Sequence, residues 1–189
     1  MSERFQHRDF SGLVITLPDL DPVVGRWRSR FHNYIKQLPT HVTLLAPWIP
    51  PAEITEDDLR LVAELAKQWA RFEVSFSRLQ AFEPTEPDTP AVHWLAPEPD
   101  EPFRQLIDDL ATTWPEYPPY EGAHGNDPTP HLTVANAVMT DDETTALLAD
   151  LAARLPVSTV AAELSVLEVI DGSCRIRAGY PLAGKSGNR

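Results

Sequence analysis

Residues 38–47, with the sequence LPTHVTLLAP, are the stretch from which the fold can be predicted. Their apolar run predicts a short buried strand, yet the run begins with His41 and has Thr43 two positions later. Residues i and i+2 of a strand point to the same face, so these two polar side chains share one face. Val42 and Leu44 point the other way, into a core beneath helices. A lone His-x-Thr is usually accidental, and its meaning depends on a partner elsewhere in the chain.

The partner is residues 131–139, HLTVANAVM, in which His131 and Thr133 repeat the same spacing. Of the six histidines, His41 and His131 are the ones that have threonine at i+2. His131 and Thr133 are predicted to lie on one face of a strand, as in the first copy. If the two strands pack about a pseudo-twofold axis, two imidazoles and two hydroxyls converge on one groove.

The surrounding elements follow from the hydrophobic period and the turn residues. Helices are predicted over 21–35, 55–72, 100–114 and 141–155, and strands over 11–19, 72–83, 91–97, 157–170 and 174–182. Asp21 is expected to cap the first helix, and Thr55 is expected to form a capping box with Asp58 on the second. A turn at 171–172 joins the last two strands into a hairpin. Residues 115–130 form a loop long enough to suggest a functional lid.

Each half of the chain has the order helix, short strand, helix, strand, strand, which indicates an internal repeat. We expect a single bilobal domain over 1–189, with halves of about 11–97 and 100–182 and one His-x-Thr strand in each. The segments RLQAFE (78–83) and ELSVLE (163–168) match at a leucine, a bulky apolar residue and a glutamate. The two halves therefore read as two copies of one α/β unit.

Composition limits the possible partners. The chain has 189 residues, of which 16 are basic and 28 acidic, for a formal net charge of −12. Such a charge repels long polyanions, so if the substrate is a nucleotide, we expect a small one or a chain end rather than duplex DNA. The single cysteine, Cys174, excludes a disulfide framework. The polar N-terminus and the lack of a long apolar run predict an unexported, cytoplasmic protein without membrane contact, and we expect a monomer.

Two histidines and two threonines in one groove suit phosphodiester chemistry. Histidine titrates near neutrality, so one ring can accept a proton while the other donates one. Threonine hydroxyls can donate hydrogen bonds to the non-bridging phosphoryl oxygens. His131 is predicted as the general base for water and His41 as the general acid for the leaving oxygen, although reaction direction can reverse these roles. This chemistry requires no metal and predicts a bell-shaped dependence of rate on pH.

The segments THVTL (40–44) and PHLTV (130–134) resemble the paired His-x-Thr-hydrophobic motifs of the 2H phosphoesterase superfamily. That group includes bacterial 2′-5′ RNA ligase-like proteins and cyclic nucleotide phosphodiesterases. AVHWLAP (91–97), EPFRQLIDDL (101–110) and YPPYEG (117–122) also look like it. The resemblance implies an α+β fold with two pseudo-twofold-related lobes, in which antiparallel sheets with outer helices flank a central cleft. It also implies metal-independent cleavage, or in some members reversible ligation, of 2′-linked or 2′,3′-cyclic phosphodiesters, with no cofactor.

By the same resemblance, His41 and His131 are the acid–base pair, and Thr43 and Thr133 hold the phosphate. The implied substrate is a nucleotide or a short RNA end. The alternative of a metal bound by His41, His131 and Asp127 has no short-range ligand spacing to support it, so no metal site is predicted.

Three further residues are candidates for substrate binding. Trp48 lies just beyond the first motif, and Tyr120 and His124 lie in the long loop. The aromatic rings of Trp48 and Tyr120, and that of Tyr117, could stack on a nucleobase. His93 reads as a structural histidine on a strand.

Two alternative functions stay open at this stage. One is a nucleotide- or RNA-binding module without turnover, and the other is a 2′-5′ RNA ligase or a non-nucleotide phosphodiesterase on the same scaffold. Intact histidines in both motifs favour an enzyme, because a binding module does not need two proton-transfer groups.

Overall fold

The described part of the chain forms two four-stranded antiparallel sheets and four α-helices. The computed structural model describes residues 9–32, 35, 37–84, 89–123 and 128–184. The strands are β1 (Phe10–Thr16), β2 (His41–Leu45), β3 (Phe72–Phe82), β4 (Val92–Glu98), β5 (Leu132–Ala135), β6 (Val157–Ala161), β7 (Glu163–Ile170) and β8 (Ser173–Pro181). The helices are α1 (Asp21–Phe31), α2 (Glu56–Gln68), α3 (Glu101–Thr113) and α4 (Asp141–Ala152). The expected bilobal α+β fold is confirmed.

The two motif strands occupy matching places in the two sheets. The strand orders are β2-β1-β7-β8 and β5-β4-β3-β6, so β2 and β5 are both edge strands, and they contact each other. Helix α1 packs against β5, and α3 packs against β2. Each motif strand is therefore backed by the helix that precedes the other motif. The division into repeated halves 11–97 and 100–182 stays a prediction, which these matching positions support.

Several local signals in the sequence act as expected. Thr55 and Asp58 form the predicted capping box on α2, and Thr140 and Glu143 form another on α4. A capping box satisfies N–H groups that the first turn of a helix leaves unpaired. The hairpin turn at 171–172 has φ values of 50° and 70°, which the Asp-Gly pair accommodates. The main hydrophobic core contains residues from both sheets, and a smaller cluster lies around Val14, Leu167 and Val169.

Helix α1 differs from its prediction in its C-terminal end and in its capping residue. It spans Asp21–Phe31 rather than 21–35, and its N-cap is Leu20. Asp21 is not the cap because a preceding 3-10 turn runs directly into the helix. The carboxylate of Asp21 instead accepts a hydrogen bond from the hydroxyl of Thr40.

The predicted strand 157–170 is in fact two strands in different sheets. Strand β6 ends at Ala161 and pairs with β3, whereas β7 begins at Glu163 and pairs with β1. At the break, the carbonyl oxygen of Ala162 accepts a hydrogen bond from the N–H of Leu182 at 2.9 Å. The continuous β pattern in the sequence does not reveal this change of sheet.

Strand β5 is shorter than the predicted 131–139. It ends at Ala135 because the next N–H, that of Asn136, donates to the carbonyl oxygen of Phe31 at 2.9 Å. The chain thus leaves the sheet and meets the end of α1.

Candidate active site

Strand β2 presents its polar face as the sequence predicts. In the β1–β2 pair His41 lies opposite Thr16. His41 and Thr43 are half-buried, whereas Val42 and Leu44 are fully buried on the other face. The strand alternation therefore directs the histidine and the threonine away from the core.

The second motif repeats this arrangement at β5. His131 immediately precedes the strand, and Thr133 pairs with Trp94 of β4. Leu132 is fully buried on the opposite face. The two motifs meet in space, because strand β2 contacts strand β5.

The two motif histidines are oriented by the same backbone contact. Nδ1 of His41 lies 2.7 Å from the carbonyl oxygen of Pro39, and Nδ1 of His131 lies 2.8 Å from that of Thr129. A carbonyl oxygen only accepts hydrogen bonds, so each Nδ1 carries the hydrogen and donates it. The neutral ring can then take up a proton only at Nε2, and the protonated ring can release that proton from Nε2. The acceptor lies two residues before the histidine in both motifs.

Arg28 is a component of the site that the sequence analysis missed. Its guanidinium donates hydrogen bonds to the carbonyl oxygens of Thr133 and Pro39, so it contacts both motif segments. Arg28 is 6% exposed. A signal was present, because Val24, Trp27, Arg28 and Phe31 form the buried stripe of α1, and a charged residue is unusual in such a stripe.

Burial and positive charge keep two histidines near the site neutral. Burial lowers the pKa of His41 from 6.5 to about 3; the charges of Arg28 and His131 act in the same direction, and the bond to Pro39 opposes them. His32, at the end of α1, has a pKa lowered to about 3 by burial first and by Arg28 second. At neutral pH Nε2 of His41 is therefore unprotonated and able to accept a proton.

Tyr120 connects the two motifs. Its hydroxyl is hydrogen-bonded to the side chain of Thr43, and its ring stacks on His131 with centroids 6.4 Å apart and an interplanar angle of 19°. Burial raises the pKa of Tyr120 to about 12, so the hydroxyl stays protonated at neutral pH. The N–H of Tyr120 donates to the carbonyl oxygen of Ala46 at 2.8 Å. The φ of 54° is rare for tyrosine, and such strain concentrates at functional sites.

Two aromatic residues that the sequence analysis did not select flank His131. The ring centroids of Phe82 and Trp94 lie 5.1 Å and 5.8 Å from that of His131, and the two rings stack on each other at 4.7 Å. Trp94 is buried, whereas Phe82 is 38% exposed. Part of the Phe82 ring is therefore open to solvent beside the second motif.

Two of the other predicted binding residues, Trp48 and Tyr117, pack into the hydrophobic core. Trp48 is 2% exposed and packs edge-on against Trp114 at 5.1 Å, so its indole is not accessible to a nucleobase. Tyr117 packs against the same hydrophobic core. His124 and Asp127 lie outside the described residues.

A separate cavity of about 330 Å³ lies beside His93. The other residues that line it are Thr89, Pro90, Ala91, Ala137, Val138, Met139 and Thr144. Among these lining residues only His93 titrates, so the cavity offers no acid–base pair. Across the residues that the structure describes, no group of three or more His, Cys, Asp or Glu side chains could hold a metal ion. No helix in the same residues is sufficiently long and apolar to span a membrane.

The fold and the paired motifs define a protein of the 2H phosphoesterase class. The family model described as the 2′-5′ RNA ligase superfamily matches residues 16–172, which include both motifs and most of the chain. The chain belongs to the 2′-5′ RNA ligase superfamily.

Similar solved structures share this fold. TT0787 of Thermus thermophilus has a TM-score of 0.57 and 18% sequence identity, over 93% of this chain and 99% of that one. E. coli LigT complexed with NADP+ has a TM-score of 0.53 and 17% identity, over 93% and 98% of the two chains. LigT complexed with 3′-AMP has a TM-score of 0.50 and 16% identity, over 93% and 99%. A comparison with curated proteins gives no match.

Proposed function

We propose that this protein is a metal-independent phosphodiesterase that hydrolyses 2′,3′-cyclic or 2′-5′-linked phosphodiesters of nucleotides or RNA ends by two-histidine acid–base catalysis. The observation that carries the proposal is the matched orientation of His41 and His131, each of which donates from Nδ1 to a backbone carbonyl and keeps Nε2 for proton transfer. Membership of the superfamily and the LigT complexes with NADP+ and 3′-AMP support a nucleotide substrate.

The electrostatics favour His41 as the base. Its low pKa leaves the ring neutral, so Nε2 can take a proton from water. The water oxygen bonds to phosphorus, the bond from phosphorus to a ribose oxygen breaks, and that oxygen takes a proton from Nε2 of His131. Each proton transfer is typically worth about 10²–10⁴ in rate. These roles are the reverse of the first expectation, in which His131 was the base.

Hydroxyl groups complete the proposed phosphate site. Thr43 and Thr133 follow the two histidines at i+2, so they are on the same strand faces and can donate to the non-bridging oxygens. We assign Tyr120 to substrate binding, because its protonated hydroxyl contacts Thr43, which belongs to the proposed phosphate site. The partly exposed ring of Phe82 can stack on a nucleobase beside His131.

The proposal also covers the size of the substrate and the setting of the protein. A formal net charge of −12 opposes a long polyanion and favours a nucleotide or a short RNA end. Burial raises the pKa of Cys174 to about 12, so the thiol is unreactive, which suits a protein of the reducing cytoplasm. We expect it to act there as a monomer.

The test uses purified protein, EDTA, 2′,3′-cyclic nucleotides and 2′-5′-linked dinucleotides, with product followed by phosphorus NMR. His41→Ala and His131→Ala should each lower kcat/KM by at least about 10²-fold. His93→Ala is the matched control, because His93 lies at the separate cavity and should leave turnover unchanged. Equal turnover by the wild-type protein and both motif variants would remove the assigned site.

The alternative functions give different results in the same experiment. A binding module releases heat with a nucleotide in calorimetry and forms no product. A 2′-5′ RNA ligase consumes a 2′,3′-cyclic end only when a second RNA end is supplied.

A further inference from the structure

We propose that Arg28 is a positioning residue that ties the two His-x-Thr motifs together and thereby fixes the geometry and the electrostatic field of the acid–base pair. Arg28 lies on helix α1, outside both motifs. The kinetic consequences of this inference rest on the proposed phosphodiesterase function. Its effects on the His41 ring can be measured without any substrate.

One guanidinium group binds the backbone of both motif segments. Nη1 of Arg28 donates to the carbonyl oxygen of Thr133, inside the second motif, and Nη2 donates to that of Pro39 at 2.8 Å. The same Pro39 oxygen accepts the Nδ1–H of His41 at 2.7 Å. Arg28 and the His41 ring therefore donate hydrogen bonds to the same oxygen atom. Through Thr133, the same cation fixes the strand of the second motif.

The chemistry of the contact requires arginine. A buried charge is costly unless its donors are satisfied, and here a planar fork reaches two carbonyl oxygens from different segments. Lysine has the same charge but donates from a single nitrogen, so it cannot span both oxygens in the same way. Arg26 and Arg30 of the same helix are exposed and pair with Asp150 and Glu143. These two arginines have ordinary surface roles and provide matched controls.

Arg28 also acts through its charge. A cation beside His41 disfavours the protonated ring and adds to the effect of burial on its pKa. The same charge lowers the pKa of His32. An entering phosphodiester carries a negative charge and is attracted by this positive field. Arg28 thus keeps the base neutral and favours the anion while it donates hydrogen bonds to backbone oxygens of both motif segments.

The experiment compares Arg28→Gln and Arg28→Lys with Arg30→Gln and Arg30→Lys. Ring-nitrogen NMR titration, assigned with His41→Ala, gives the pKa of His41, and steady-state kinetics give kcat and KM at each pH. Arg28→Gln should raise the His41 pKa by about one unit or more and move the acid limb of kcat/KM upwards by the same amount. Arg28→Lys should keep the pKa low but lower kcat by about 10- to 100-fold, through misplacement of the motifs. The Arg30 variants should change neither quantity.

Two results would overturn the inference. One is a His41 pKa in Arg28→Gln that equals that of Arg30→Gln, and the other is a kcat in Arg28→Lys that equals that of Arg30→Lys. If circular dichroism shows that Arg28→Gln does not fold, the comparison of kcat between Arg28→Lys and Arg30→Lys tests the inference. If the wild-type protein turns over no phosphodiester, the proposed function fails, and the titration of His41 still tests the role of Arg28.

Discussion

His41 and His131 differ from ordinary surface histidines because one nitrogen of each ring is committed to a backbone carbonyl. The two histidines and their threonines could be identified from the sequence, since alternation along a strand is a local property. The acceptors, Pro39 and Thr129, are equally local at i−2. They were not predicted, because only the turn that leads into each strand brings the carbonyl oxygen to Nδ1.

The low pKa of His41 predicts how activity depends on pH. A base works only while it is neutral, so a pKa of about 3 moves the acid limb of kcat/KM well below the 6.5 of an ordinary histidine. We expect kcat/KM for a 2′,3′-cyclic nucleotide to change little on the acid side until the pH is below about 5. Rates measured between about pH 4 and pH 8, on protein that circular dichroism reports as folded, check this. An acid limb centred at the ordinary histidine pKa would contradict the assignment of His41 as base.

The hydroxyl of Tyr120 provides a second test at this scale. Tyr120→Phe keeps the ring beside His131 but removes the hydrogen bond to Thr43. One such bond is worth about 0.5–1.5 kcal/mol, so kcat/KM should fall by about 2- to 10-fold while the melting temperature changes little. Tyr120→Ala, which also removes the ring, should cost more. Unchanged kcat/KM in both variants would exclude a role for Tyr120 in binding.

Helix α1 illustrates what a single element can reveal. Its buried stripe contains Trp27, Arg28 and Phe31, and a charge within that stripe was visible in the sequence. The oxygens that Arg28 binds could not be predicted from the sequence, because Thr133 is 105 positions away along the chain. The split between β6 and β7 at Ala162 has a similar cause, since the choice of sheet depends on distant strands. Patterns within an element were predictable, whereas its partners were not.

Two glycines give opposite predictions for neighbouring elements. A Cβ at Gly12 of β1 would lie 3.1 Å from Cβ of Ala46 and 3.2 Å from the oxygen of Leu45, so β2 would have to move. We expect Gly12→Ala to lower the free energy of unfolding by about 1–3 kcal/mol, and to lower kcat/KM because β2 carries the first motif.

At Gly25 of α1, the atom nearest to an added Cβ is Cβ of Asp21 at 3.9 Å. Gly25→Ala should therefore raise the free energy of unfolding by about 0.4–1 kcal/mol. Urea denaturation measures both, and a stabilised Gly12→Ala would contradict the tight β1–β2 approach.

The two sheets depend on each other because each covering helix crosses to the opposite motif strand, α1 to β5 and α3 to β2. The paired motifs and the repeated element order predicted the bilobal class, but this exchange involves contacts between distant parts of the chain and left no local signal. One consequence is that Arg28 and His32, both from the α1 segment, are buried close to His41 and His131. Arg28 thus places a positive charge at the site within a molecule of formal net charge −12, whereas His32 stays neutral.

His32 and His41 make the stability of the whole molecule depend on pH. His32 and His41 have folded pKa values of about 3, against 6.5 for an ordinary histidine. Between these values the unfolded chain binds more protons, so each ring lowers the free energy of unfolding by about 1.4 kcal/mol for each unit of falling pH. His32→Gln should lower the slope of the free energy of unfolding against pH by about 1.4 kcal/mol per pH unit. Urea denaturation at about pH 6 and about pH 5 measures this slope. Carboxylates titrate in both proteins and cancel in the comparison. Equal slopes in the two proteins would mean that the fold does not keep His32 neutral.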